Sequence, residues 1–180
     1  MKNRKSNRLK GYDYSKNNLY FVTICVQNKL CCFGSVIPVG TGRDLSVHHP
    51  NENHPNEDVL MELNQYGLIV KERVEWLMMQ YQYVDIHNFV VMPNHIHLIV
   101  EIDSLRVKDK DVKIKSLSSL IGAFKTTSSK LIHELGFIEF SWQRSFHDHI
   151  IRNEKSYQNI SNYIDLNPLN WNRDTFFDNN

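Results

Sequence analysis

A chain of 180 residues with 41% hydrophobic content is long enough to bury one well-packed core and short for two, so a single domain over residues 1–180 is expected. No run approaches the apolar length of a membrane span, and the basic, polar N-terminus lacks a signal-peptide pattern, which predicts a cytoplasmic protein with no membrane partner. The net charge of +1 does not by itself point to a polyanion, and Cys25, Cys31 and Cys32, odd in count and without Cys-x-x-Cys spacing, favour neither a disulfide framework nor a cysteine zinc site.

The first cations are unevenly placed: Lys2, Arg4, Lys5, Arg8 and Lys10 all precede Asp13. This basic arm, residues 1–15, suits phosphate tracking and equally suits a solvated terminus. Residues 19–27 are rich in β-branched and aromatic side chains and predict the first strand. Residues 38–58 carry Gly, Pro, Asn and His without periodicity and predict a variable loop, on which His48, His49 and His54 are read as solvated. Leu63, Tyr66, Val70, Val74 and Leu77 then follow a helical period within 58–79. Two strands, 87–92 and 95–102, are joined by the turn chemistry of Pro93-Asn94 and predict an antiparallel hairpin. The run from Arg106 to Lys115 interleaves cations with Asp109 and Asp111 and reads as a polar loop.

Leu117, Leu120, Ile121, Phe124, Leu131 and Leu135 return to helical spacing, with Gly136 as the stop. Residues 142–150 predict a further strand, and 153–168 a helix capped by Asn153 and ended by Pro168. The order β-α-β-β-α-β plus a terminal helix predicts an α+β fold with a ferredoxin-like antiparallel sheet. Two helices would cover one face and leave the other to the C-terminal helix.

Chemistry concentrates in Met92-Pro93-Asn94-His95-Ile96-His97-Leu98-Ile99-Val100. Side chains alternate along a strand, so His95 and His97 share one face while Ile96, Leu98 and Val100 point into a core. Two neutral imidazoles so placed can donate to one divalent cation, and the same spacing suits a pair of surface histidines. In the last helix Tyr157, Ile160 and Ile164 form the apolar stripe, and Tyr163 falls roughly 90° from its centre. Tyr157 is therefore read as core and Tyr163 as bordering it. Asn167 follows Tyr163 by one turn, so a phenol and a carboxamide share a face, a layout that fits a tyrosine nucleophile beside a metal ligand. His147 and His149 form a rival alternating pair flanked by Asp148 rather than by apolar anchors, and His149 is read instead as a supporting residue behind the ligands or a structural one. Lys125, Arg144 and Arg152 sit in or beside ordered elements, where a cation can grip a DNA backbone.

The chain resembles the REP-associated tyrosine transposases of the HUH single-strand transposase superfamily, which are IS200-like. The resemblance runs through Arg8-Leu9-Lys10-Gly11-Tyr12-Asp13-Tyr14, Tyr20-Phe21-Val22-Thr23-Ile24-Cys25, Met92-Pro93-Asn94-His95-Ile96-His97 and Trp142-Gln143-Arg144-Ser145-Phe146. It continues through Asp148-His149-Ile150-Ile151-Arg152-Asn153 and Tyr163-Ile164-Asp165-Leu166-Asn167-Pro168. It implies the ferredoxin-like fold, a Mg²⁺ or Mn²⁺ ion, and single-stranded or hairpin DNA as partner. On that mapping His95 and His97 are the ligand pair, Tyr163 is the nucleophile, and Asn167 takes the place of the third, amide ligand. Arg4, Arg8, Lys125, Arg144 and Arg152 would contact DNA. The implied activity is metal-dependent nicking and strand transfer through a 5′-phosphotyrosine, in a bacterial, nucleoid-associated protein for which a homodimer stays open. Two other readings remain: a non-catalytic single-strand-binding sheet with Tyr20 and Phe21 as stacking aromatics, and a phosphoesterase that uses water.

Overall fold

The computed structural model describes residues 11–38, 59–109 and 111–177. Arg4 and Arg8, most of the basic arm and nearly all of the 38–58 segment, with its three histidines, lie outside the described residues. Six strands and three α-helices follow in the order β1 (Asn18–Cys25), β2 (Gly34–Pro38), β3 (Val59–Leu63), α1 (Gln65–Gln80), β4 (Val84–Val91), β5 (His95–Ile102), α2 (Leu117–Glu134), β6 (His147–Ile151) and α3 (Glu154–Asp165).

The main sheet has the order β4-β5-β1-β6, and every neighbouring pair is antiparallel. With α1 and α2 as crossovers this is the expected ferredoxin-like arrangement. One face is closed by Val70, Val74 and Leu77 of α1 and Leu117, Leu120, Ile121 and Phe124 of α2. These pack on Tyr20, Val22 and Ile24 of β1 and on Ile96, Leu98, Val100 and Ile102 of β5. The opposite face carries α3, seated through Ile164 on Ile99 and Ile151, with Leu19, Phe21, Val90, Tyr157 and Ile160 around them. Tyr157 is half-buried rather than core, because its hydroxyl lies 3.3 Å from His87 Nδ1 at the border of the helix.

The boundaries depart most from the sequence expectation at three places. Residues 59–63 are a strand, not the start of a helix: they pair with β2 as a separate two-stranded sheet, from Gly34↔Leu63 to Pro38↔Val59. The segment read as a loop is thus edged by two strands. Helix α1 begins only where the Asn64 side chain caps it, accepting from the Tyr66 and Gly67 amides. Gly34 is required at this junction: at φ +137 it brings its Cα so close to the partner strand that a Cβ would lie 2.0 Å from the Glu62 carbonyl oxygen. The last strand is shorter than expected, since Trp142 makes only an isolated bridge to Val26 while its indole enters the core and donates to Ser128 Oγ. Among the described residues no helix is long and apolar enough to cross a membrane.

Helix α3 touches the sheet through a small apolar patch, tightened by Asn88 Nδ2 donating to Ser161 Oγ at 2.9 Å and Asp165 Oδ1 at 2.8 Å. Replacing the fully buried Ile164 with Ala should therefore cost about 2–5 kcal/mol in a urea-unfolding measurement. A loss below about 1 kcal/mol would mean that the patch is not what seats the helix.

Candidate metal and tyrosine site

Residues from four elements meet on the α3 side of the sheet. In the register, His97 of β5 stands opposite Thr23 of β1, which stands opposite His147 of β6. His95 and His97 are fully buried, at 0% and 1% exposure. The face expected for them is the one observed, with Ile96, Leu98 and Val100 in the opposite core.

The neighbours of the imidazoles set their protons. Asn94, in the turn before β5, donates both amide hydrogens to carbonyls, Lys29 O at 3.0 Å and Phe176 O at 2.8 Å. Its Oδ1 is therefore the acceptor, and His95 Nδ1, 2.9 Å away, must donate to it. That tautomer leaves the His95 Nε2 lone pair bare and turned towards His97 Nε2 at 3.0 Å. On the far side His97 Nδ1 meets Thr23 Oγ1 at 2.8 Å, a hydroxyl able to give or take the proton. Two facing ring nitrogens need a shared proton or a cation between them. A spacing of 3.0 Å also suits two adjacent ligands on one ion with bonds of about 2.1 Å.

A third donor stands ready. Asn167 is 1% exposed; its Nδ2 donates to Asp174 Oδ2 at 3.2 Å, while its buried Oδ1 has no hydrogen-bond partner. A buried carbonyl oxygen left unpaired is costly, and an oxygen-seeking cation would satisfy it. Tyr163, expected at the border of the helix, is 44% exposed, and its hydroxyl lies 3.2 Å from His97 Nε2. Phe21 stacks on the His97 ring and meets Tyr163 edge-on, fixing both. The structure thus brings His95, His97, Tyr163 and Asn167 together, and the donor set fits a divalent cation.

The remaining candidates lie on β6 or around its ends. His149, opposite Phe21 in the register, and His147 are exposed on the outer strand β6. Arg144 and Arg152 are exposed on either side of that strand. Lys125 donates to the Gln143 and Ser145 carbonyls and lies over the Phe146 ring, so it shapes the approach to β6. Among the described residues a second group, Asp85, His87 and Glu101, could also hold a metal. There Arg106 already pairs with both carboxylates, which offsets half of their negative charge and occupies an oxygen of each.

Sequence reasoning missed Asn94, Thr23, Asp174 and Phe176. Thr23 becomes visible only once β1 is paired with β5. Asp174 and Phe176 sit in an aperiodic tail that folds back over the histidines, with the Phe176 ring 4.6 Å from that of His95. This cover explains the burial and its electrostatics. Burial pushes the His95 and His97 pKa values down to about 3; at His95 the Asn167 side chain opposes the shift and Lys29 adds to it, and at His97 the neighbouring His95 adds to it while Asp174 opposes. Burial also raises the Tyr163 phenol, as does the Asp174 carboxylate, with Asn167 opposing.

An imidazole whose pKa falls on folding stays neutral in the native state while the unfolded chain takes up a proton below about 6.5. This stability is present above pH 6.5 and is lost progressively as the pH falls towards 3. Urea midpoints should decline across that window, and a His95→Gln, His97→Gln double variant should decline less. Equal slopes would mean that these rings do not drive the acid sensitivity.

A family model described as "Transposase IS200 like" matches residues 69–167, a span that includes His95, His97, Tyr163 and Asn167. An uncharacterized protein of Haemophilus influenzae is 35% identical, over 97% of this chain and 93% of its own length. Among solved structures, a REP-associated tyrosine transposase bound to a REP hairpin has a similar fold, with a TM-score of 0.54 at 20% identity, over 91% of this chain and 73% of that one. The chain belongs to the IS200-like transposase family.

Proposed function

We propose that this protein nicks and rejoins single-stranded DNA at hairpin or palindromic sites, with Tyr163 as nucleophile and Mg²⁺ or Mn²⁺ held by His95, His97 and Asn167. The observation that carries this reading is the convergence on His97 Nε2 of the Tyr163 hydroxyl at 3.2 Å and His95 Nε2 at 3.0 Å, beside the unpartnered Asn167 Oδ1. When bound, the cation would offset charge building on the phosphoryl oxygens and favour the phenolate.

The chain's own residues account for the remainder. Phe21 and Ile164 hold Tyr163 against the sheet with its side chain open to solvent, where a DNA strand can reach it and where its proton can leave. The Tyr163 oxygen bonds to phosphorus as the bond to the 3′-oxygen breaks, and that oxygen takes up a proton. The products are a 5′-phosphotyrosine and a free 3′-hydroxyl. One phosphoester has replaced another, so attack by a second 3′-hydroxyl reverses the step and transfers the strand without an external energy source. Arg144 and Arg152 beside β6, with Arg4 and Arg8 of the N-terminal arm, would grip the phosphates, and Lys125 would act through the segment it holds. The solved relative bound to a REP hairpin supports hairpin DNA as the partner. The reading puts the protein on the chromosome in a bacterial cytoplasm, as a monomer or a homodimer.

A non-catalytic stacking sheet is the weaker reading, because Tyr20 is fully buried and Phe21 is engaged with His97 and Tyr163. With Mn²⁺ and labelled single-stranded hairpin DNA, the wild type should form an SDS-resistant adduct and Tyr163→Phe should not. Cleavage by both without an adduct would point to water as nucleophile, and metal-independent binding without cleavage would point to a binding module. A phenol is mostly protonated at neutral pH, so where the phenolate fraction limits the rate the adduct should also form faster between about pH 6 and 8, by up to about tenfold per unit. A flat profile would mean that loss of the Tyr163 proton does not limit the step.

A further inference from the structure

We propose that Asp174 is a direct ligand of the cation held by His95, His97 and Asn167, delivered by the C-terminal segment 171–177; this rests on the metal-dependent reading above. The family match ends at residue 167, so Asp174 lies outside the span that carries the family resemblance. A carboxylate oxygen of Asp174 and one nitrogen each of His95 and His97 all lie within 4.8 Å of one another. The carboxylate is not used up by its present contacts. Oδ2 accepts from Asn167 Nδ2 at 3.2 Å and Oδ1 from the Phe176 amide at 2.7 Å, and each oxygen keeps further lone-pair capacity. The contact with Asn167 also orients that amide, leaving its Oδ1 buried and unpaired.

Charge argues the same way. His95, His97 and Asn167 are three neutral donors, two of them nitrogen. Mg²⁺ and Mn²⁺ favour oxygen, and carboxylate oxygen above all. Asp174 is the anionic oxygen donor that the described cluster offers. The segment that brings it is firmly pinned: Lys29 Nζ donates to Thr175 O at 2.9 Å, Asn94 Nδ2 donates to Phe176 O at 2.8 Å, and Trp171 is buried. Asn94 therefore serves both sides of the site, holding the His95 ring and the segment that carries Asp174.

The test is Mn²⁺ binding to the full-length, DNA-free protein, followed by the electron paramagnetic resonance signal of free Mn²⁺. Asp174→Asn removes the charge and one of the two acceptor oxygens while keeping the side chain's shape, and should weaken Mn²⁺ binding by at least about tenfold. Asp174→Glu should retain binding within a few-fold, and both variants should remain folded in EDTA, with a cooperative thermal transition within a few degrees of the wild type. Affinity within about twofold of wild type in Asp174→Asn would overturn the assignment and leave the metal-dependent nuclease reading intact. Absence of Mn²⁺ binding by the wild type would overturn both.

Discussion

The alternation of side chains along β5 is the constraint on which the site depends. Ile96, Leu98 and Val100 are held in the core beneath α1 and α2, and this leaves His95 and His97 no choice of face. A slip of one residue would exchange the two sets, burying imidazoles among aliphatic side chains and exposing the core. The rigidity that a metal pair needs is therefore supplied by the same apolar contacts that stabilise the sheet. Thr23 on the neighbouring strand and Asn94 at the turn then address the two Nδ1 atoms, so that both Nε2 atoms converge on one point.

Burial gives this pair its chemical character. Neutral imidazoles are good ligands, and their strongly depressed pKa values keep them neutral well below the pH at which a solvated histidine would gain a proton. The cover comes from the chain's own C-terminal segment through Trp171 and Phe176, while Tyr163 stays half-exposed at its edge. Ligands in a dry pocket and a nucleophile at the rim form a division suited to a polymeric substrate that approaches from solvent. Phe21 joins the two parts by touching both His97 and Tyr163.

Much of this was legible in the sequence, for identifiable reasons. Period-two alternation marked β5, and helical spacing marked α1, α2 and α3, because each helix buries one face, α1 and α2 on the main core and α3 on the opposite side of the sheet. Tyr163 stood out because it sits at the border of an otherwise regular stripe. The β2–β3 pair was missed because its second arm runs directly into α1, so that Leu63 joins the helical spacing of Tyr66 and Val70; the Asn64 cap is the signal that divides them. Asp174 could not be read because it lies in a stretch without periodicity, and its place is set by contacts with Lys29 and Asn94 that are remote in sequence. Thr23 had a face but no partner until the strand register was known.

The central claim is that the facing His95 and His97 nitrogens form a seat for a divalent cation. Anomalous diffraction at the manganese edge, from crystals of the protein soaked in Mn²⁺, tests it most directly. The account predicts a peak between His95 Nε2, His97 Nε2 and Asn167 Oδ1. A peak only at Asp85, His87 and Glu101, or bound Mn²⁺ with neither His95 Nε2 nor His97 Nε2 as a ligand, would contradict it.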